Sequence, residues 1–273
     1  VTVPASNPQA SSPARLETDG LSVGYDQREI ISALSLRIPD HAFTVIVGPN
    51  ACGKSTLLRA LARVLTPSAG AVLLDGSDIA RLPSKEVAKR VGLLPQSSVS
   101  PEGITVVDLV SRGRYPHQSF LRQWSESDER AVTAAMEATH VTELALRHVD
   151  ELSGGQRQRV WVAMALAQET SILLLDEPTT FLDIAHQVEL LDLFDRLNRE
   201  RGHSLVAVLH DLNQAARYAT HLIAMKDGAV VAEGAPAEVV TAELVEDVFG
   251  LRARIISDPE SGTPLVIPLA SRR

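Results

Sequence analysis

The stretch that most restricts the fold runs from Phe43 to Leu61, FTVIVGPNACGKSTLLRAL. It opens with an apolar run (Phe43, Val45, Ile46, Val47) suited to a strand buried on both faces. The chain then breaks at Gly48-Pro49-Asn50-Ala51-Cys52-Gly53-Lys54-Ser55-Thr56, and Leu57, Leu58, Leu61 and Val64 resume at helical spacing. Strand, GxxxxGK[ST] and helix in that order are what a phosphate-binding P-loop needs. Glycine lets the backbone curl until successive N–H groups point into one concavity. The helix start adds partial positive charge, and Lys54 adds a full charge within reach of β- and γ-phosphates. Ser55 is placed to offer its hydroxyl to Mg²⁺. A chain this long meets the pattern by accident only about once in a hundred. The residues from Gly48 to Thr56 therefore predict nucleoside triphosphate binding.

Ile172-Leu173-Leu174-Leu175-Asp176-Glu177-Pro178 comes next in weight. Four apolar residues bury a strand and deliver Asp176 at its carboxyl end, where open α/β sheets bind ligands. A carboxylate there can hold Mg²⁺ facing the P-loop, and Glu177 beside it can polarise an attacking water as general base. Leu152-Ser153-Gly154-Gly155-Gln156 precedes a helix, as either a second anion-receptive helix start or a plain cap. His210 ends the run Leu205–Leu209 at the same sheet edge as Asp176, as a γ-phosphate contact or a structural histidine. Gln96 also ends a strand, within reach of Mg²⁺ or the water. Tyr25 sits in a Gly24-Tyr25-Asp26 turn, where a lone aromatic carries little meaning by itself.

Composition excludes several alternatives. The net charge of -8 argues against broad electrostatic binding to nucleic acid. No apolar stretch approaches the ~18 residues needed to span a bilayer, so any membrane role requires another chain. Cys52 is the only cysteine, which rules out an intrachain disulfide framework or a Cys-based zinc site and suits a reducing cytosol. Its place beside Lys54 at a helix start predicts a lowered thiol pKa and alkylation that blocks hydrolysis. Residues 1–14 lack the basic start and apolar core of a secretion signal and read as a disordered tail.

Along the chain, short runs at Leu16–Thr18, Leu21–Val23 and Leu34–Ile38 predict a small antiparallel sheet. Ala71–Leu74 and Val91–Leu94 read as further strands. From about 97 to 152 helical patterns take over, with a capping box at Ser125–Asp128 opening a helix through Val132, Ala135, Met136 and Thr139. Strands and helices then alternate again. A helix over Ile184–Arg201 carries Val188, Leu191, Phe194 and Leu197 on one face, and Leu222–Met225 with Val230–Ala232 forms a hairpin. Residues 251–273 form a C-terminal extension, packed on the domain of 15–250 or trailing from it. The fold class is α/β: a P-loop NTPase parallel-sheet core, an N-terminal antiparallel β subdomain and an inserted helical subdomain.

Taken in order, Tyr25, GPNACGKST, Gln96, LSGGQRQR, ILLLDEP, the Asp183 turn and His210 resemble the ATP-binding cassette (ABC) family over nearly the whole chain. The LSGGQ stretch is diagnostic, and no Asn-Lys-x-Asp guanine reader is present. The resemblance implies that Tyr25 stacks on adenine, Gln96 belongs to a lid loop and His210 senses the γ-phosphate. It also implies that Ser153, Gly154, Gly155 and Gln156 bind in trans the γ-phosphate of ATP held by a second copy. Two ATP molecules would then be sandwiched, with Mg²⁺, in a head-to-tail homodimer. Gly113-Arg114-Tyr115-Pro116-His117 and Thr179 to Gln187 resemble ATPases of importers for ferric siderophores, haem and vitamin B12, ferric siderophores most closely. Such a subunit would work on the cytoplasmic face of the membrane, through a permease supplied by an external binding protein. The insertion near Pro101–His117 would transmit its motion. Ala51 stands where the family often has Gly, and Thr180-Phe181 where many members have Ser-Ala. An exporter ATPase, a soluble cassette ATPase of repair or translation, and a non-enzymatic nucleotide sensor are the rival readings.

Overall fold

The computed structural model describes residues 14–26, 28–96, 100–118 and 124–270. In chain order, β1 (Ala14–Tyr25) and β2 (Arg28–Pro39) form an antiparallel pair, then β3 (Phe43–Val47) leads through the P-loop to α1 (Lys54–Leu61). Next come β4 (Ala69–Leu74), β5 (Ser77–Asp78), α2 (Ser84–Ala88) and β6 (Val91–Leu94). A helical stretch holds α3 (Val106–Ser111), α4 (Glu126–Ala138) and α5 (Gly154–Ala167). Alternation resumes with β7 (Ile172–Asp176), α6 (Ile184–Arg201), β8 (Ser204–Val208) and α7 (Leu212–Tyr218). Then follow β9 (His221–Lys226), β10 (Ala229–Gly234), α8 (Pro236–Val239), α9 (Ala242–Phe249), β11 (Ala253–Ser257) and β12 (Pro264–Pro268).

The central sheet has the order β10-β9-β3-β8-β7-β6, parallel except for β10 at one edge. Every residue of β3, β7 and β8 is buried, which is why these strands are mostly apolar and do not alternate with polar residues. Side chains alternate between the faces. Phe43, Val45, Leu173 and Leu175 join Trp161, Leu191 and Phe194 on one side. Ile46, Leu174 and Val206 join Leu57, Leu58 and Leu61 of α1 on the other. The antiparallel sheet β2-β1-β4-β5 covers α1 from beyond, through Leu21, Ile31 and Leu74. With α1 enclosed between two sheets, the P-loop at its start is held on a rigid element.

Several sequence expectations are adjusted. The short N-terminal runs merge into two 12-residue strands, because register shifts between β1 and β2 interrupt the alternation without ending the pairing. Tyr25 is the last residue of β1 and not a turn residue. Ala14 pairs with Pro39, so the expected tail fails at its final residue, while residues 1–13 and the insertion's first residue, Ser97, lie outside the described residues. α1 stops at Leu61, and Val64 beyond it is 61% exposed. On α6 the buried face runs through Leu190, Leu191, Phe194 and Leu197, leaving Val188 on its solvent side.

The helical stretch is tied together by charge as well as packing. Arg114 and Asp128, both buried, meet at 2.9 Å, and Arg114 also donates to the Ala167 carbonyl at the end of α5. The Ser125–Asp128 capping box forms as expected. At the other end of the chain β11 and β12 pair only with each other, yet Ala253 and Val266 are buried in the main core. Through those two residues the hairpin of β11 and β12 packs on the main core.

Candidate functional site

The carboxyl ends of β3, β6, β7 and β8 share one edge of the central sheet, followed there by Gly48, Gln96, Glu177 and His210. The P-loop between β3 and α1 curls tightly. A Cβ on Gly48 (φ 155°) would stand 2.2 Å from the Met225 carbonyl, so only glycine fits there. Gly53 takes φ 104° as the residue before α1. Lys54 is buried, and two of its three N–H groups go to the Gly48 and Pro49 carbonyls at 2.8 Å each. This clasp closes the loop on itself and holds a positive charge at the helix start.

A groove opens above it, lined by Tyr25, Ile30, Asn50, Ala51, Gly53, Lys54, Ser55, Thr56, Glu177 and His210. Ser55 donates to Asp176 Oδ1 at 2.7 Å. Asp176 is 1% exposed, its Oδ2 has no hydrogen-bond partner, and the Arg59 guanidinium stands 3.9 Å away. Burial pushes this carboxyl up, against the Ser55 hydrogen bond and the charges of Arg59 and Lys54. A buried carboxylate oxygen left unpaired beside a hydroxyl is suited to an oxygen-coordinated cation. Among the described residues no group of three or more His, Cys, Asp or Glu side chains is placed to hold a metal ion. A cation here would need ligands beyond Ser55 and Asp176, from a neutral side-chain oxygen, a nucleotide or water.

Glu177 sits in the left-handed backbone region, φ 53°. Gln96 donates to its Oε2 at 2.8 Å, and His210 Nε2 lies 2.7 Å from its Oε1. A carboxylate only accepts, so the His210 hydrogen sits on Nε2. Glu177, Gln96 and His210, which sequence reasoning picked out separately, thus form one hydrogen-bonded set.

The remaining predicted residues lie elsewhere. Ser153 caps α5, accepting from Gln156 N–H at 3.3 Å while Gln156 Oε1 accepts from Ser153 N–H at 3.1 Å. None of Ser153, Gly154, Gly155, Gln156 or Asp183 lines the groove. A Cβ on Gly154 would be 3.7 Å from that of Phe181, and one on Gly155 would be 3.3 Å from Leu182 Cδ2, so this helix start packs on the segment leading to Asp183. Asp183 in turn caps α6, accepting from His186 N–H at 3.0 Å.

Cys52 corrects an expectation. It is 3% exposed and lies beneath the loop, and burial pushes its thiol up despite Lys54 nearby. Desolvation of a thiolate outweighs one neighbouring charge, so the predicted reactive thiol is absent. Sequence reasoning missed Ile30 and Arg59. Arg59 follows Ser55 by four residues on α1, which places both on one helix face, and its Nη1 donates to Tyr25 Oη at 3.0 Å. Ile30 reaches the groove only through the pairing of β2, which leaves no local signal.

A P-loop facing a strand-end Asp-Glu pair in a parallel sheet defines a P-loop nucleoside triphosphatase of the α/β class. The family model described as ABC transporter matches residues 31–180. The chain belongs to the ABC transporter family, whose ATP-binding subunits are ATPases. It is 60% identical to the ferric enterobactin transport ATP-binding protein FepC of Escherichia coli K12, over 94% of this chain and 95% of that protein. It is 55% identical to the probable siderophore transport system ATP-binding protein YusV of Bacillus subtilis 168, over 93% and 92%. Among solved structures, a putative metal-chelate type ABC transporter in an inward-facing conformation superposes with TM-score 0.79 at 27% identity, covering 94% of this chain and 98% of that one. A dimeric ATP-binding cassette, MJ0796, bound to ADP and Pi superposes with TM-score 0.71 at 27% identity, covering 81% and 98%.

Proposed function

We propose that this chain is the ATP-hydrolysing subunit of an importer for iron(III)-siderophore-type chelates. It works as a head-to-tail homodimer at the cytoplasmic face of a membrane, beneath a separate permease that an external binding protein loads. The observation that carries hydrolysis is Glu177, held between Gln96 and His210 beside the P-loop. The cargo class is supported by relatives named for ferric enterobactin and siderophore transport. No helix of the described residues is long and apolar enough to cross a membrane.

In the groove, Lys54 and the P-loop amides hold the phosphates and Tyr25 offers its ring to the adenine. Ser55 and Asp176 would hold Mg²⁺, and the Gln96 side-chain oxygen could add to them. When bound, Mg²⁺ neutralises charge on the β- and γ-phosphate oxygens. Glu177 accepts the proton of the water that attacks the γ-phosphorus, and ADP leaves. Each Glu177 oxygen accepts from one of its two partners and keeps a further lone pair, so Gln96 and His210 can hold the carboxylate in place while it accepts the water proton. His210, on the same sheet edge, also lines the groove where a γ-phosphate would lie. Ser153 to Gln156 complete the site of the second copy.

Glu177→Gln tests the hydrolytic half. Turnover should fall by about 10²–10⁴-fold, the worth of a general base, while ATP binding persists and a dimer accumulates. Normal hydrolysis by this variant would sink the role. Cells whose only copy carries Lys54→Ala should lose ferric-chelate uptake, and unchanged uptake would refute the transport reading.

A further inference from the structure

We propose that the C-terminal hairpin is a working part of the hydrolytic site, with Asn213 as the positioning residue that fixes His210 against Glu177. The proposal rests on the ATPase reading above. The hairpin formed by β11 and β12 lies outside the residues matched by the family model. β11 packs on α9, and β12 packs on α7, whose N-cap Asp211 directly follows His210.

The contact is specific. Asn213 uses its side chain as a strand would use its backbone: Oδ1 accepts from Val266 N–H at 2.7 Å, and Nδ2 donates to the Val266 carbonyl at 3.3 Å. The Val266 side chain is buried in the main core. Arg217, further along α7, faces Glu260 in the hairpin turn at 3.6 Å. On its other side the first turn of α7 is fastened to Asp211, whose Oδ1 accepts from Asn213 N–H at 2.7 Å. Asp211 is bonded directly to His210. A line of short contacts thus runs from the hairpin through one residue of α7 to the histidine that holds Glu177.

His210 needs such support. Its side chain is 47% exposed, so little packing fixes its ring, and it follows a strand end in a short connection. A misplacement of ~1 Å at a reacting group can cost on the order of 10²-fold in rate. Asn213 shares no lining with the nucleotide groove, so any effect on turnover must travel through α7.

Asn213→Leu removes both side-chain bonds to Val266, whereas Asn213→Asp keeps an acceptor for Val266 N–H. In the full chain, Asn213→Leu should lower kcat about tenfold with KM for ATP changed less than about twofold, and Asn213→Asp should recover most of the loss. The second readout is the His210 ring resonance in the NMR spectrum of the nucleotide-free protein, identified by its loss in His210→Gln. It should shift in Asn213→Leu and stay close to wild type in Asn213→Asp. Turnover that falls while the resonance stays fixed would overturn the proposal, as would a shifted resonance with kcat unchanged. If the unmodified chain hydrolyses no ATP, the ATPase reading fails, while the resonance still reports whether Asn213 positions His210.

Discussion

The nucleotide groove and the start of α5 begin from the same parts, a glycine-bearing turn ahead of a helix, and end in opposite states. In the groove Lys54 and Asp176 are buried; Gly48 and Pro49 take two of the Lys54 N–H groups, and Ser55 bonds one Asp176 oxygen while the other stays unpaired. At α5, Ser153 and Gly154 are exposed, and the Ser153 and Gln156 side chains make only the capping-box bonds among those described. Phe181 and Ile184, each 78% exposed, add apolar surface around Asp183. A helix start becomes a site when neighbouring elements supply charge and exclude water. The groove has those neighbours, and in the proposed homodimer a second copy would supply them at the start of α5.

The largest test of that contrast is Gly154→Asp. The added Cβ meets only Phe181 at 3.7 Å, so the fold should tolerate it. A carboxylate facing the partner's γ-phosphate should cut turnover by about 10²–10³-fold, comparable to losing a transition-state donor. The ATP affinity of the single chain should not move. A changed affinity in isolated chains, measured by nucleotide fluorescence, would put this surface in cis and end the comparison.

A second test separates scaffold from site. Asp128→Asn leaves buried Arg114 without its buried carboxylate, though the exposed Glu169 remains at 2.7 Å. The loss should be about 3 kcal/mol of stability, read by denaturant unfolding, with groove affinity unchanged. The Ser125 and Arg114 hydrogen bonds hold the Asp128 carboxyl below its usual range against the opposing effect of burial. Its contribution is therefore fully present above the unfolded carboxylate pKa and is lost as pH falls through the lower folded value. The wild type should lose stability in acid over that window, and Asp128→Asn should lose less.

How far each region was legible follows from where its constraints lie. The groove is local: strand, glycines, Lys54 and helix are contiguous, so spacing alone placed them. Asp176 and Glu177 were legible because the buried strand ahead of them points to one sheet edge. The triangle of Gln96, Glu177 and His210 was not, because it depends on the order β6-β7-β8, which no local pattern encodes. Cys52 was misread for a related reason. Its neighbours in sequence argue for a low thiol pKa, whereas its burial is set by packing that includes Gly48. For the α5 start, physics alone left cap and anion site open, and the single chain uses it as a cap.

The smallest effects are the sharpest comparison, because the two departures from the family pattern fall one in each region. Ala51 and Phe181 both adopt left-handed backbone, with φ 62° and 68°. A non-glycine residue there costs roughly 1–2 kcal/mol, and a glycine gives back roughly 0.5–1 kcal/mol through its freer unfolded chain. Ala51→Gly and Phe181→Gly should each therefore raise single-chain stability by less than about 1 kcal/mol, since the Phe181 ring is mostly exposed and leaves no cavity. They should part company in the dimer. In a Glu177→Gln background, Ala51→Gly should leave ATP-dependent dimerisation as it was. Phe181→Gly should weaken it, because the ring it removes has apolar surface to bury only against a partner. Sedimentation with saturating ATP reads the difference. Equal dimerisation by the two variants would mean that Phe181 stays exposed in the assembled pair, and that the partner closes over the α5 start without touching the Asp183 turn.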